Sequence, residues 1–150
     1  YDMLGVNSRL DELQATILRV KLLYLGRWNA IRRKLASDYD DLLADIDGVR
    51  VLKADNDTTP VYCLYTIAVK NREAVQEYLA QEGITSVVHY PVPLHMVNAL
   101  KYLKYKEGDF PVAEKISSEI LALPMYPELT YQMQERIVEC IKRALSKKYS

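Results

Sequence analysis

Hydrophobic positions in the first third of the chain follow the period of an α-helix. The apolar residues of this stripe are Leu10, Leu13, Ile17, Leu18, Val20, Leu22, Tyr24 and Leu25. Ser8 and Asp11 have the spacing of a capping pair and predict the start of this helix. The pattern continues towards Leu42, with a bend predicted at Gly26. Because one small core does not need so long a helix, we expect it to bridge two bodies or to lie along a partner.

The middle of the chain changes to the two-residue period of β-strands. A short strand is predicted at 49–52, followed by a longer one at 61–69. Both faces of the longer strand are largely apolar, which predicts a central position in a sheet. Asn71 and Gly83 delimit a predicted helix, and 84–88 reads as a returning strand. The order strand, helix, strand predicts a βαβ-like unit.

The last third combines predicted helices with two proline-stiffened connections. The helices are expected at 96–105, 111–121 and 131–145, and the connections at 89–95 and 123–127. Two prolines two residues apart exclude both a regular helix and a central strand in the first connection. The fold class predicted from the pattern is therefore α/β, with one compact body and a long leading helix.

Composition excludes several classes of function. The 150 residues are enough for one domain with a real core, and twenty basic residues balance twenty acidic ones. No net field therefore favours nucleic acid or an anionic membrane, and no apolar run reaches the length of a bilayer span. With only two histidines in the chain, a histidine-rich metal site would need a second chain. The two cysteines are far apart and are expected to be reduced thiols in a cytosolic protein, although a disulfide between them stays open.

Two groups of residues are candidates for binding. Asn7 and Arg9 lie at the start of the long helix, where they serve either as surface and capping residues or as a site for a phosphate or carboxylate. His89, Tyr90 and His95 lie on the first proline-stiffened loop, after a predicted strand. Open α/β proteins bind ligands in such places, yet a single histidine is more often structural than functional. Both interpretations remain open for both groups.

Other polar and sulfur-containing residues have simpler interpretations. Asp40 and Asp41, like Asp55 and Asp57, lie in polar surroundings and are expected on solvated faces or loops. Cys63 alternates within the predicted central strand, which makes it a small core residue.

Several segments, in order along nearly the whole chain, resemble the nucleotide-sugar aminotransferases of the DegT/StrS family. The first runs from Gly5 to Ala15 as GVNSRLDELQA, and the later ones read WN, RR, VYCLY, GI, HYPVPLH, GDFPVAE and LPMYPEL. Their order and compatible spacing make the resemblance far more specific than one short pattern.

The resemblance implies the C-terminal small domain of an aspartate-aminotransferase-like (fold type I) enzyme that uses pyridoxal 5'-phosphate. In the family, glutamate gives its amino group to the cofactor, which passes it to a keto group of a nucleotide-linked sugar. The active sites lie at a homodimer interface. By similarity, Asn7 reaches the cofactor phosphate of the other subunit and Arg9 helps to bind the anionic substrate. The loop with His89, Tyr90 and His95 would face the substrate.

The resemblance also implies how the chain is divided and what it does not contain. Residues 1–47 would form an interdomain helix region, and 48–150 the small domain of a longer, cytoplasmic polypeptide. The opening at Tyr1 is expected to be a cut within that polypeptide. No lysine here resembles the family's cofactor lysine, which is expected upstream, so no catalytic residue is predicted in this segment. Relatives often have histidine at the position of Cys63, which leaves that position without a predicted role.

Two alternatives remain. One is a member of the same family that dehydrates a sugar with the same cofactor but without the lysine linkage. The other is a non-catalytic module that binds a nucleotide sugar or dimerises.

Overall fold

The computed structural model describes residues 9–55 and 57–146. In chain order, the described elements are α1 (Glu12–Leu43), β1 (Val49–Val51), β2 (Tyr65–Val69), α2 (Arg72–Gln81), two 3₁₀ turns (Leu94–Met96 and Asn98–Leu103), α3 (Pro111–Glu119), β3 (Ile120–Leu123) and α4 (Tyr131–Ser146). None of these helices combines the length and apolar composition that a membrane crossing requires.

Helix α1 is the long leading helix that the sequence predicts. It runs through Gly26 as one helix of 32 residues, or about 48 Å at the usual rise of 1.5 Å per residue. The cap differs from the prediction: Asp11 is itself the N-cap, and its carboxylate accepts a hydrogen bond from the backbone N–H of Gln14. Ser8, the predicted capping residue, lies outside the described residues. Asp11 can occupy the position because its side chain reaches the free amide of Gln14 in the first turn.

The sheet is antiparallel throughout, in the order β1-β2-β3. The central place of β2 confirms the prediction, but the strand begins at Tyr65, because the chain turns at Tyr62 with a positive φ of 47°. The predicted βαβ-like unit is wrong. The segment predicted as a strand at 84–88 contributes only one antiparallel bridge, between Val87 and Ala122. Its partner is β3, a strand whose first two residues the pattern had placed at the end of the helix at 111–121.

The core lies between the sheet and three helices. Its fully buried side chains include Tyr39 and Leu43 from the end of α1, Ile67 from β2, Leu79 from α2 and Ile141 from α4, and related positions of these elements complete it. Alternation in the strands turns Ala68 and Ala122, both buried, away from this core, and α3 packs against β2. The last third of α1 is therefore part of the body. By contrast, none of its side chains from Glu12 to Arg27 is buried.

Buried and partly buried hydrogen bonds join α1 to β2, to the residue after β3 and to α4. The Tyr65 hydroxyl donates to the Asp40 carboxylate at 2.6 Å, and the Tyr39 hydroxyl donates to the carbonyl of Pro124 at 3.1 Å. From α4, the fully buried Gln134 amide donates to the carbonyl of Leu35 at 2.8 Å. Asp40 is thus half-buried and bonded, which corrects its assignment to a solvated face; the neighbouring Asp41 is exposed as predicted.

The segment predicted as a helix at 96–105 instead forms two consecutive 3₁₀ turns. No apolar side chain in either turn is buried, so the segment has no apolar stripe packed against the core. Without that packing, a short helix gains little stability over tighter turns. The final helix, predicted at 131–145, is confirmed as α4.

Candidate functional site

The loop with the candidate histidines projects from the edge of the sheet next to β3. Its first end is fixed at Val87, whose backbone exchanges two hydrogen bonds with Ala122, at 3.1 and 2.8 Å. Beyond that bridge, His89 and Tyr90 are exposed, and their rings meet edge to face at 5.5 Å. Tyr90 is 74% exposed, so its phenol is available to a ligand or to another chain. The structure therefore places these two predicted residues together on an accessible surface.

His95 has a different environment from the other two residues of the loop. Its side chain is only 7% exposed, and its Nε2 lies 2.9 Å from Oε1 of Glu114. The ring of Phe110 packs on the imidazole at a centroid distance of 4.8 Å. Phe110 in turn meets Tyr105 edge to face at 5.1 Å. His95 is thus directed into the fold, towards the start of α3.

Glu114 is the centre of this polar cluster. Its two carboxylate oxygens accept hydrogen bonds from the backbone N–H of Gly108 at 2.9 and 3.0 Å, and Oε1 also accepts one from Phe110 at 3.3 Å. Desolvation opposes ionisation of this carboxyl, but the donors Gly108, Phe110 and His95 outweigh it and lower the pKa of Glu114. Gly108 has a φ of 93°, a conformation that glycine adopts without strain and that brings its N–H to the carboxylate.

Sequence reasoning missed Glu114. The segment GDFPVAE entered the resemblance without a role, although a turn followed by proline at the first helical position is a recognisable helix start. What no local pattern could show is the contact with His95, which is nineteen residues earlier in the chain.

The other candidate group lies at the start of α1. Arg9 is exposed, and no described residue forms an ion pair or hydrogen bond with its guanidinium. Asn7 lies outside the described residues, so its predicted role stays a prediction. Because Asp11 already caps the helix and Glu12 adds a second negative charge, the helix end itself is a poor anion site. An anion here would have to be bound by side chains such as Arg9.

Within the described part of the chain, no hydrogen bond, ion pair or ring contact joins Arg9 to the loop at 89–95. The prediction that both groups border one cleft, completed by a second subunit, remains a prediction.

An apolar groove of about 490 Å³ lies between the turn before β2, the segment around Val87, the end of β3 and α4. Cys63 is on its wall and is exposed, which corrects its assignment to the core; the strand that would have buried it starts two residues later. Cys140 is buried, and both thiols are free. No group of three or more metal-binding side chains occurs among residues 9–55 and 57–146.

Comparison with known proteins identifies the family. A model of the DegT/DnrJ/EryC1/StrS aminotransferase family matches residues 1–142. The chain belongs to this family. The fold agrees: the chain superposes on the crystal structure of DesV from S. venezuelae, solved in complex with a ketimine intermediate, with a TM-score of 0.86 and 35% identity. This match covers 95% of the present chain and 38% of the other. A family aminotransferase from Brucella abortus gives a TM-score of 0.82 at 36% identity, over 93% of this chain and 37% of that one.

Two characterised relatives are similar over almost the same span. One, from Geobacillus stearothermophilus, is named a pleiotropic regulatory protein and is 44% identical over 94% of this chain and 38% of its own length. The other, from Aneurinibacillus thermoaerophilus, is a dTDP-3-amino-3,6-dideoxy-alpha-D-galactopyranose transaminase and is 40% identical over 93% of this chain and 38% of its own length. The chain thus spans a little over a third of the relatives that it matches. The predicted architecture, a partial α/β domain with a long leading helix, is confirmed by its superposition on these aminotransferase structures.

Proposed function

We propose that the protein containing this chain transfers an amino group from glutamate to a keto group of a nucleotide-linked sugar, with pyridoxal 5'-phosphate as cofactor. The observation that carries the proposal is the family match over residues 1–142, together with relatives that are named sugar transaminases. The superposition on a structure in complex with a ketimine intermediate, with a TM-score of 0.86, also supports the proposal. Function here rests on family membership, and the accessible residues then indicate what this segment contributes.

The residues of this chain fit a part of the cofactor's requirements. Pyridoxal phosphate supplies the electron sink for transamination when it is bound. Its phosphate and the carboxylates of glutamate are anions, and Arg9 offers them an exposed guanidinium with no competing partner among the described residues. We assign the cofactor phosphate to Asn7 and the anionic substrate to Arg9. The cofactor lysine belongs, in this proposal, to the part of the relatives that the chain does not span.

His89 and Tyr90 are proposed to contact the sugar substrate. Both are exposed on a loop that the Val87 bridge and two prolines restrict, so they can form hydrogen bonds without a large ordering cost. An imidazole and a phenol both donate and accept hydrogen bonds, which suits the hydroxyl groups of a sugar.

The first half of α1 supports a shared active site in a homodimer. It exposes a run of large apolar side chains, among them Leu13 at 77% and Leu23 at 82%. Leu10, Leu18, Leu22, Leu25 and Trp28 line a shallow apolar depression on it. Patches of this kind are usually covered by another domain or subunit. We therefore propose that residues 1–47 connect two domains, that 48–150 form the small one, and that the assembled enzyme is a homodimer. The two free thiols support a further proposal, that the enzyme is cytoplasmic.

The test uses the whole protein, loaded with pyridoxal phosphate. Incubation with glutamate and a dTDP- or UDP-linked keto sugar should yield 2-oxoglutarate and an amino sugar with the mass of the transamination product. Arg9→Ala should raise the KM for the anionic substrate about tenfold or more, because a hydrogen bond to a charged group contributes about 1.5–3 kcal/mol. Arg50→Ala is the matched control. This exposed arginine pairs only with Glu119 among the described residues, and it lies on β1, at the edge of the sheet opposite β3. Absence of 2-oxoglutarate with every keto sugar would refute the proposal.

Two other functions give different results in the same assay. A dehydratase would give a sugar product that has lost a hydroxyl group as water and gained no amino group, so the mass of the product distinguishes it. A non-catalytic role is favoured by the 44% identical relative that is named a regulatory protein. Such a protein would bind the nucleotide sugar, or form a dimer, without turning it over.

A further inference from the structure

His95 is withdrawn from the surface that His89 and Tyr90 present. Its side chain is only 7% exposed, its imidazole packs at a tilt against Phe110, and its Nε2 already pairs with Glu114, so Nε2 is not available to a substrate. A substrate contact through Nε2 would require breaking a bond to a carboxylate that three backbone N–H···O interactions already fix. Each of those donors belongs to the turn before α3, so the carboxylate position is set by backbone geometry.

The loop is therefore fixed at both ends. At its start, Val87 pairs with Ala122 of β3; at its end, His95 pairs with Glu114 of α3. Between these points, Pro91 and Pro93 limit the backbone further. A segment held at Val87 and at His95, with seven residues between them, leaves little freedom for the side chains on it.

We propose that His95 and Glu114 form a clamp that sets the position of His89 and Tyr90, so that His95 is a positioning residue and does not contact the substrate. The functional value of this positioning rests on the proposed function, because it assumes that His89 and Tyr90 face the sugar. A misplacement of about 1 Å in a positioning contact can cost about a hundredfold in rate, so the clamp has a measurable consequence.

Two variants of His95 separate its hydrogen bond from its volume. His95→Leu fills the same space against Phe110 but removes the donor. His95→Gln keeps an N–H donor near the place of Nε2 and should rescue the clamp in part. On the other side, Glu114→Leu removes the acceptor. Thermal unfolding of each variant shows whether the protein is still folded.

The first readout is amide hydrogen exchange of the whole protein without substrate. For His95→Leu we expect at least tenfold faster exchange in the peptide that covers 94–97, whereas β2 is unchanged. Glu114→Leu should do the same and also release the amides of Gly108 and Phe110, which its carboxylate protects. Exchange in 94–97 that stays at the wild-type rate in both variants would overturn the proposal.

The second readout is a kinetic comparison. Positioning predicts that His95→Leu, Glu114→Leu and the double variant lose a similar factor in kcat/KM for the sugar, about tenfold or more, and that His95→Gln recovers most of it. A direct substrate contact predicts the opposite: a large loss for His95→Leu, almost none for Glu114→Leu, and losses that multiply in the double variant. That second pattern would overturn the proposal. A wild-type protein without transaminase activity would refute the proposed function alone, since the exchange data are collected without substrate.

Discussion

The hydroxyl of Tyr65 provides a sharp test of how α1 is attached to the sheet. It lies on the central strand and donates to Asp40 of α1 at 2.6 Å, a distance typical of a hydroxyl bonded to an ionised carboxylate. Burial and this carboxylate both raise the pKa of Tyr65, so the phenol stays protonated and remains the donor at neutral pH. Tyr65→Phe removes one oxygen and preserves the ring, which stacks on Tyr39 at a centroid distance of 4.8 Å.

The expected loss of stability comes from the Asp40 carboxylate, which is left without its hydrogen-bond donor when the Tyr65 oxygen is removed. Asp40 is half-buried, so its carboxylate is only partly rehydrated when the donor disappears. A hydrogen bond to a charged group contributes about 1.5–3 kcal/mol, and partial exposure of the carboxylate places the expected loss near 2 kcal/mol. With a urea m-value of about 2 kcal/mol/M, that lowers the midpoint of unfolding by about 1 M.

The assay is urea unfolding followed by circular dichroism, with Tyr62→Phe as the matched control. The Tyr62 ring is half-buried and 6.2 Å from that of Tyr65, but its hydroxyl forms no hydrogen bond with another described residue. We expect its midpoint to change by about 0.2 M or less, the size of a neutral surface substitution. Asp40→Ala completes a double-mutant cycle with Tyr65→Phe, and a coupling energy of about 1–2 kcal/mol is expected. If Tyr65→Phe unfolds at the wild-type midpoint, or if the two losses simply add, the reasoning is wrong.

Three further predictions concern titration and thiol reactivity. Tyr39 and Tyr65 have raised pKa values because they are buried. The stability that they contribute is therefore fully present below the unfolded pKa of about 10 and is lost as pH rises above it. Urea midpoints measured between pH 9 and 11 check this, and the midpoint of the Tyr39→Phe/Tyr65→Phe variant should change less with pH. Glu114 has a lowered pKa, so the stability that it contributes is present above the unfolded value of about 4.3 and is lost as pH falls below it. The protection of the amides in 94–110, measured as the exchange rate relative to the intrinsic chemical rate at each pH, should fall in that range, and Glu114→Gln should show no such step. Cys63 is exposed, whereas burial protects Cys140 and raises the pKa of its thiol. One equivalent of a maleimide should therefore react rapidly at neutral pH, and a second only on unfolding. Two thiols that react equally fast would contradict the placement of Cys140.

The resemblance to a family was the strongest result of the sequence, because it used several ordered motifs at once. The later match over residues 1–142 and the superposition on solved aminotransferases confirm it. It identified His89, Tyr90 and His95 as one group because they share a loop. The structure separates them, since burial and hydrogen bonding differ within seven residues: Tyr90 is 74% exposed and the side chain of His95 only 7%.

The period of the apolar residues correctly predicted the elements that have an apolar face of their own to pack against the core. The leading helix and the final helix were correctly predicted because each has an apolar stripe of helical period, and β2 because its two faces are apolar. Short segments whose conformation depends on their partners were not correctly predicted. Strand β3, for example, is apolar throughout, so its pattern cannot distinguish a strand from a helix. The turns at 94–103 have no buried stripe to form a regular helix.

By itself, then, the sequence determined the family, the long leading helix, the central strand and the segment on which candidate side chains lie. Tertiary structure decided which of those side chains face solvent and which face the protein. Asp40 and Glu114 illustrate the reason: each is bonded to a residue nineteen or more positions away, Tyr65 and His95 respectively. A polar residue pattern records only neighbours along the chain, whereas the partner of a carboxylate is chosen when strands and helices pack.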